Sequence, residues 1–305
     1  VKYLSGNRLW GTNAERLAMS LTSSSIGNVA TCKVVGATAE TSPTPPSGLG
    51  STSLEFNGTS DFCDGYGLRD AMDTKGSISF WFYADAEEEK VLMGFADDGA
   101  NTMIEIKTRT DRILGINVTV SGTSKWAVAT TEQYNAYGNW NHIVITHNGT
   151  VPKMYLNGSL ATDDWETETD KTVWWTAMRA AGANNCTIGC KPKLNNASRT
   201  DFFGNGSITD IAFWNEALDS DDVTALWNSG DGALANTIPT NQTVYFKCQA
   251  VEDGTFALGD LAWNDTAATY EGDNNNNGTL VVEDESYING LNAKGAILYL
   301  KKNGT

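Results

Sequence analysis

The sequence predicts an all-β protein, and three observations predict it. Short apolar runs are separated by stretches rich in Gly, Asn, Thr and Ser, the residues that tight turns demand. Within the runs the residues alternate as in strands. In Ser77-Ile-Ser-Phe-Trp-Phe-Tyr, Ile78, Phe80 and Phe82 fall on one face and Trp81 and Tyr83 on the other. Apolar residues on both faces mark a central strand that is covered on both sides or has one face toward a partner. Thirdly, a full set of helix signals gathers at one place. Asp219 or Ser220 caps it, acidic residues fill its first turn, Val223, Leu226 and Trp227 share a face, and Gly230 ends it.

In chain order, residues 1–31 carry no clear sheet alternation, and Ala14-Glu-Arg-Leu-Ala-Met predicts a helical turn or two. Val29 to Val35 reads as a strand. Thr41-Ser-Pro-Thr-Pro-Pro-Ser-Gly breaks regular structure, because proline lacks the amide proton a ladder needs. Ser53-Leu-Glu-Phe alternates before an Asn57-Gly turn. Further strands cover Val91–Phe95, Met103–Lys107, Ile113–Val120, Lys125–Thr130, Trp140–Thr146 and Lys153–Leu156, with turns at Asn148-Gly and Asn157-Gly. After the helix the chain begins again: Thr243-Val-Tyr-Phe-Lys-Cys and Thr279-Leu-Val-Val are strands. Gly290-Leu-Asn-Ala-Lys-Gly-Ala-Ile-Leu-Tyr-Leu echoes Gly48-Leu-Gly-Ser-Thr-Ser-Leu-Glu-Phe, and Asn303-Gly-Thr echoes Asn57-Gly-Thr. The tail is either the start of a second, similar unit or an extension whose turn residues match by chance.

With 40% hydrophobic and 10% aromatic residues the 305-residue chain can bury a core. Its net charge of −16 argues against nucleic acid, whose phosphates need a basic surface, and against anionic membranes. It also simply favours solubility. No run approaches a membrane-spanning length. The start lacks the apolar core of a secretory signal, so either a signal preceded Val1 or that route was not used. The cysteines, Cys32, Cys63, Cys186, Cys190 and Cys248, are scattered, and no Cys-x-x-Cys pair offers a zinc site. Cys186 and Cys190 lie four strand steps apart, about 13 Å, too far for a disulfide. They read as buried free thiols of a protein folded under reducing conditions.

One family uses the following pieces in this order: Ser77-Ile-Ser-Phe-Trp-Phe-Tyr, Trp140-Asn-His-Ile-Val-Ile-Thr, Met154-Tyr-Leu-Asn-Gly-Ser, Thr187-Ile-Gly, Phe203-Gly-Asn-Gly-Ser-Ile-Thr-Asp-Ile-Ala-Phe-Trp-Asn and Ala217-Leu-Asp-Ser-Asp-Asp-Val-Thr-Ala-Leu-Trp-Asn-Ser-Gly. The chain resembles the laminin-G-like, concanavalin-A-like lectin and glucanase jelly rolls. The resemblance implies an antiparallel β-sandwich with a short helix after the last core strand. It divides the chain into an N-terminal arm and first strand at 1–49, the sandwich at 50–232 and a small β-rich C-terminal extension at 233–305. Neither flank is long enough to bury a core alone, so each is expected on the sandwich or on a neighbour. The fold names a function poorly, since function resides in sites.

Enzymes of the resembled family need two carboxylates facing each other across a sugar bond. Glu87-Glu-Glu and Glu283-Asp-Glu lie in loop-like surroundings, Asp219-Ser-Asp-Asp caps the helix, and His142 and His147 lack a nucleophile turn, so no catalytic residue is assigned. The resemblance also implies a structural calcium held by an early loop and a late Asp. Asn57, Asp61, Asp64 and Asp210 are the candidates, against a plain hydrogen-bonded turn. For ligand binding, Asp163, Asp164, Trp165, Trp174 and Trp175 lie where the family varies. The tryptophans offer flat faces for sugar rings and the acids accept hydroxyl hydrogen bonds. Otherwise Trp174 and Trp175 lie in a strand, one directed into the core and one at a neighbouring subunit. Asn-x-Ser/Thr recurs at Asn57, Asn117, Asn148, Asn157, Asn185, Asn196, Asn205, Asn241, Asn264, Asn277 and Asn303, either as glycosylation sites or as turn composition.

The reading that results is a non-enzymatic virion surface protein, such as a capsid decoration, fibre or appendage, with calcium as the one cofactor considered. Its partners would be copies of itself or other virion proteins, and cell-surface glycans, with no nucleic acid and no membrane insertion. A virion protein folds in a reducing cytosol and works outside, which reconciles a surface-type fold with free thiols. The alternative is a secreted or cell-surface glycan-binding adhesion module.

Overall fold

The computed structural model describes residues 16–19, 31–35, 37–66, 68–86, 88–192, 203–238, 241–246, 248, 269–271 and 279–281. The repeat of residues 290–305, the acids at 283–285 and the sequons at Asn196, Asn264, Asn277 and Asn303 lie outside them. Two antiparallel sheets form a sandwich. The strands are β1 (Arg16–Met19), β2 (Thr31–Val35), β3 (Thr38–Glu40), β4 (Ser53–Phe56), β5 (Phe62–Tyr66), β6 (Gly76–Ala84), β7 (Val91–Ala96), β8 (Met103–Thr108), β9 (Leu114–Val120), β10 (Thr123–Thr130), β11 (Trp140–His147), β12 (Pro152–Leu156), β13 (Ser159–Leu160), β14 (Asp163–Glu168), β15 (Asn185–Ile188), β16 (Gly206–Trp214) and β17 (Gln242–Phe246). Sheet I runs β1-β2-β5-β15-β7-β8-β9-β10-β14, and sheet II runs β13-β12-β11-β6-β16-β4-β3 with β17 also on β16. β18 (Thr269–Glu271) and β19 (Thr279–Val281) pair with each other.

The core between the sheets holds Phe80, Phe82, Ile188, Ile208 and Phe213, as the alternation predicts. Val144 and Tyr155 are buried too, but in a second cluster on the outer face of sheet II. That cluster is closed by α2 (Ser220–Trp227), whose Val223 and Leu226 are buried in it. Trp227 stacks on Trp81 at 5.2 Å, and Trp81 on His142 at 4.9 Å. β6 is therefore a central strand covered on both sides. Gly158 makes room for the helix: with φ 79 and a built Cβ 2.4 Å from Trp227 Cδ1, a side chain there would strike the indole.

The proline run forms no strand and lies across sheet II as a strap. It leaves β3 at one edge, and the Trp140 indole N–H of β11 donates to Thr44 O at 2.8 Å. Gly48 N–H then donates to Asp231 O at 2.8 Å.

Two expectations are corrected. Arg16–Met19 is a strand paired with β2 and not a helical turn, because sheet pairing decides so short a segment. β2 and β3 before residue 50, and β17 after 232, are hydrogen-bonded into the sandwich, so these parts of the two flanks pack on it. Trp174 and Trp175 lie in neither a strand nor a surface: Trp175 opens α1 (Trp175–Ala180), Trp174 caps it, and both are 1% exposed. Trp175 stacks on Phe95 at 4.5 Å and donates its indole N–H to Leu68 O, while Trp174 stacks on His147 at 4.9 Å.

Candidate functional site

The two outer faces of the sandwich differ. Sheet II is covered by apolar packing and the strap, whereas sheet I turns a polar face outward. Its register aligns Thr187, Gly94, Glu105, Asn117, Ala127 and Thr167 in one cross-strand row. A second row holds Lys107, Gly115, Ala129 and Asp164. Their neighbours along each strand, such as Ile104, Ile106, Ile116 and Val128, point into the core, so these rows point away from it. Small residues floor the middle, and long charged side chains fold over it. Glu105 is 5% exposed and meets Lys191 Nζ at 2.9 Å. Arg109 pairs with Glu166 and Lys107 with Glu89. The Arg109 stem lies where a Cβ on Gly115 would come within 2.7 Å. Such a face offers fixed donors and acceptors, the chemistry a hydroxyl-rich ligand needs.

β14 forms the rim of this face. Asp164, Glu166 and Glu168 are exposed and Asp163, Trp165 and Thr167 half-buried, with an irregularity in the pairing between Thr167 and Trp165. The structure thus keeps Asp163, Asp164 and Trp165 together but divides them between the two sides of an edge strand. The Trp165 ring meets Trp126 edge-on at 6.3 Å, and Lys171 Nζ sits 4.5 Å from its centroid. Burial raises the Asp163 carboxyl pKa, the Glu132 charge raises it further, and Lys171 opposes. A sugar stacking on Trp165 would have to displace Lys171, which Glu168 holds at 2.7 Å. Trp174 and Trp175 support this rim from inside and present no face to a ligand.

Among the candidate calcium donors, Asn57 and Asp61 bond to one another and Asp210 is held elsewhere. Asn57 Oδ1 accepts from Thr59 and Ser60 N–H at 2.9 Å and from Asp61 N–H at 3.3 Å, and Asp61 Oδ2 accepts from Asn57 N–H at 3.1 Å, which is the plain turn. Asp210 is instead buried at a bulge in β16, where it accepts from Tyr245 O–H at 2.8 Å and Ala235 N–H at 3.2 Å. The Asp64 side chain lies outside the described residues. Among those described, no group of three or more His, Cys, Asp or Glu is arranged to hold a metal. Cys63, Cys186, Cys190 and Cys248 are buried free thiols.

Sequence reasoning gave no ligand-binding role to Glu105, Asn117, Lys191 or Lys171. The alternation in Met103-Ile-Glu-Ile-Lys already puts Glu105 and Lys107 on one face. Nothing in the sequence shows that Lys191 returns to meet Glu105 from 86 residues away in the chain.

Residues 57–224 match the model of the concanavalin A-like lectin/glucanases superfamily, and the chain belongs to that family. No curated protein matches it. Among solved structures it is similar to the Ruminococcus gnavus IT-sialidase CBM40 bound to α2,3-sialyllactose, at 11% identity and TM-score 0.43, covering 52% of this chain and 85% of that one. It is also similar to the botulinum neurotoxin serotype C1 binding domain (17%, 0.48, 70% of this chain and 52% of that). A third is the Trypanosoma rangeli sialidase (13%, 0.46, 75% and 34%). The chain spans about half of the toxin domain's length and a third of the sialidase's. Likenesses of this size bear on the fold alone. No described helix is long and apolar enough to cross a membrane.

Proposed function

We propose that this protein is a non-enzymatic glycan-binding surface protein of a virion, in which the sandwich serves assembly and host attachment. The observation that supports it is the asymmetry of the two faces. One sheet is closed by α2 and the strap, while the other turns outward a small-residue floor lined by Glu105, Asn117, Lys107 and Arg109 and rimmed by Asp163, Asp164 and Trp165. Glu105 is held as an ion pair by Lys191, a state suited to fixing a ligand more than to moving a proton. The buried thiols Cys63, Cys186, Cys190 and Cys248 favour folding in a reducing compartment. The arm at 1–49 and the extension at 233–305 would make the contacts with neighbouring copies. A secreted or cell-surface adhesion module is the second reading, favoured by sequons at exposed turns such as Asn148.

Binding of the purified protein to a glycan array tests the first part. Trp165→Ala and Asn117→Ala are expected to weaken binding of the glycan roughly tenfold, the scale of losing one anchor, with the far-UV circular dichroism unchanged. Absence of binding to every glycan, or variants that bind like the parent, would remove the site. Release of reducing sugar from a bound polysaccharide would overturn the non-enzymatic reading. Antibody labelling of intact particles tests the location.

A further inference from the structure

Four Asn-Gly pairs lie among the described residues, at Asn57, Asn148, Asn157 and Asn205, and the one at Asn148 is built differently from the rest. An asparagine carboxamide is open to attack by the backbone nitrogen of the next residue, because the five-membered ring that results joins atoms the chain already holds together. Three things keep the reaction slow. The backbone amide must lose its proton, negative charge must gather on Oδ1, and the following side chain crowds the approach. Glycine removes the third obstacle at every pair. At Asn148 the turn between β11 and β12 acts on the other two.

His147 ends β11, and the Gly149 N–H donates to its Nδ1 at 3.0 Å. The imidazole is fixed from behind. Its Nε2 lies 2.8 Å from Lys171 O, and its ring stacks on Trp174 with centroids 4.9 Å apart and planes at 14°. A nucleophile, a base within hydrogen-bond reach and a third group that orients the base is the arrangement that activates nucleophiles in enzymes. Asn148 Oδ1 meanwhile accepts from Thr150 N–H at 2.9 Å and Val151 N–H at 3.0 Å. Two backbone donors at that range stabilise negative charge on the same oxygen. His147 is buried and held in place, whereas Asn148 and Thr150 are exposed, so water reaches the carboxamide.

Each of the other pairs lacks a part. Asn57 Oδ1 has matching donors in Thr59 and Ser60 N–H, both at 2.9 Å, but among the described residues no side-chain base meets the Gly58 N–H. At Asn157 the carboxamide is pinned: Oδ1 accepts from His142 N–H, Nδ2 donates to Asn141 Oδ1, and Trp227 sits against Gly158. Gly206, after Asn205, is fixed in β16 between Phe56 and Ala84.

We propose that Asn148 is a site of self-modification, in which His147 takes the Gly149 amide proton and Gly149 N attacks Asn148 Cγ. The N–Cγ bond forms and the Cγ–Nδ2 bond breaks. The proton held by His147 passes to the departing nitrogen, which leaves as ammonia, and the imidazole ends neutral. Water then opens the succinimide at either carbonyl to give aspartate or isoaspartate. Each copy gains a carboxylate at this turn, isoaspartate adds a methylene to the backbone, and Asn148-Gly-Thr ceases to be a glycosylation acceptor. Burial lowers the His147 pKa, which keeps Nδ1 unprotonated and open to the Gly149 proton. The reaction is independent of the glycan-binding reading.

The test uses the whole folded protein, made in bacteria so that Asn148 carries no glycan, and incubated at neutral pH and body temperature. The two Asn-Gly-Thr pairs at Asn57 and Asn148 are followed by peptide mass mapping, with isoaspartyl methyltransferase labelling of the product. Asn148 is expected to convert at least about tenfold faster than Asn57, within what a positioned base supplies. In urea the two rates should come together, with Asn148 slower than in the folded protein. His147→Gln, which places no proton-accepting nitrogen beside Gly149, should bring the folded rate at Asn148 down to that of Asn57. If that variant does not fold, the comparison of folded protein with urea decides alone. Conversion of Asn148 no faster than Asn57 in the folded protein, or faster in urea than in the fold, overturns the proposal. An unchanged rate in folded His147→Gln overturns it too.

Discussion

His142 lies flat against Trp81 with its Nε2 2.9 Å from Ser79 Oγ, and burial lowers its pKa to about 3. His147 is neutral for a second reason: Gly149 N–H donates to Nδ1, so Nε2 carries the proton and gives it to Lys171 O. Burial lowers its pKa as well. For such groups the unfolded chain binds the proton more tightly. Their stabilising effect is complete above the unfolded value near 6.5 and is lost as pH falls from there toward the folded value. A group with a folded pKa of about 3 loses up to ~1.4 kcal/mol per pH unit in that window. His142→Gln should therefore lose about 2 kcal/mol less unfolding free energy than the parent between pH 7 and pH 5, measured by urea denaturation. Carboxylates common to both chains cancel in that difference. Identical pH dependence in the two proteins would mean that His142 is charged or exposed in the folded state. The sequence places Trp81 and His142 on strands, but the indole that covers them comes from a helix more than eighty residues further on, which alternation does not encode.

α2 is the element most legible in the sequence; its N-terminal capping is as expected, while its end is set by Asn228 in the left-handed region and not by Gly230. Asp219 Oδ1 accepts from Asp221 N–H at 2.9 Å and Asp222 N–H at 3.0 Å, and the Asp222 carboxylate accepts from Asp219 N–H at 3.4 Å. Asp219→Ala leaves those amides without a partner at the helix start and should cost about 1 kcal/mol. Asp219→Asn, which keeps the acceptor, should recover most of it. A loss below the error of the melting experiment would mean that packing of Val223, Leu226 and Trp227 alone holds the helix. α1 was not legible because Trp174-Trp175 reads equally as strand or ligand platform. The signal that distinguishes them is Trp175 and Met178, both buried and one helical turn apart. The strap was legible only as a break: proline says what it cannot do, and its course across sheet II depends on the single acceptor at Thr44 and on the close approach of Gly48 to Gly232 O.

At the scale of the molecule, the family, the central strands and the core of the sandwich follow from alternation and motif order, while the edges do not. Register decides which residues share an outer face, and the sequence gives no register between strands as distant as β4 and β16. That is why the polar face of sheet I emerges only in the fold, and why residue 232 was a plausible end for the sandwich. Yet β17 completes both clusters. Val244 and Phe246 fill the core between the sheets, Tyr245 joins Ala235 in the outer cluster, and the buried Asp210 carboxylate depends on Tyr245 O–H and Ala235 N–H. Removing those donors breaks two hydrogen bonds to a buried carboxyl, which costs about 1–3 kcal/mol each, before the lost apolar packing is counted. A chain ending at residue 232 should melt at least about 10 °C below one ending at residue 248, at roughly 2–4 °C per kcal/mol for a domain of this size. Asp210→Asn in the longer chain should recover part of the difference if the same truncation is then applied, since the neutral amide tolerates the loss of its donors better than the carboxylate. Equal melting of the two chain lengths would show that the segment after 232 is an appendage and that the boundary set from sequence was the right one.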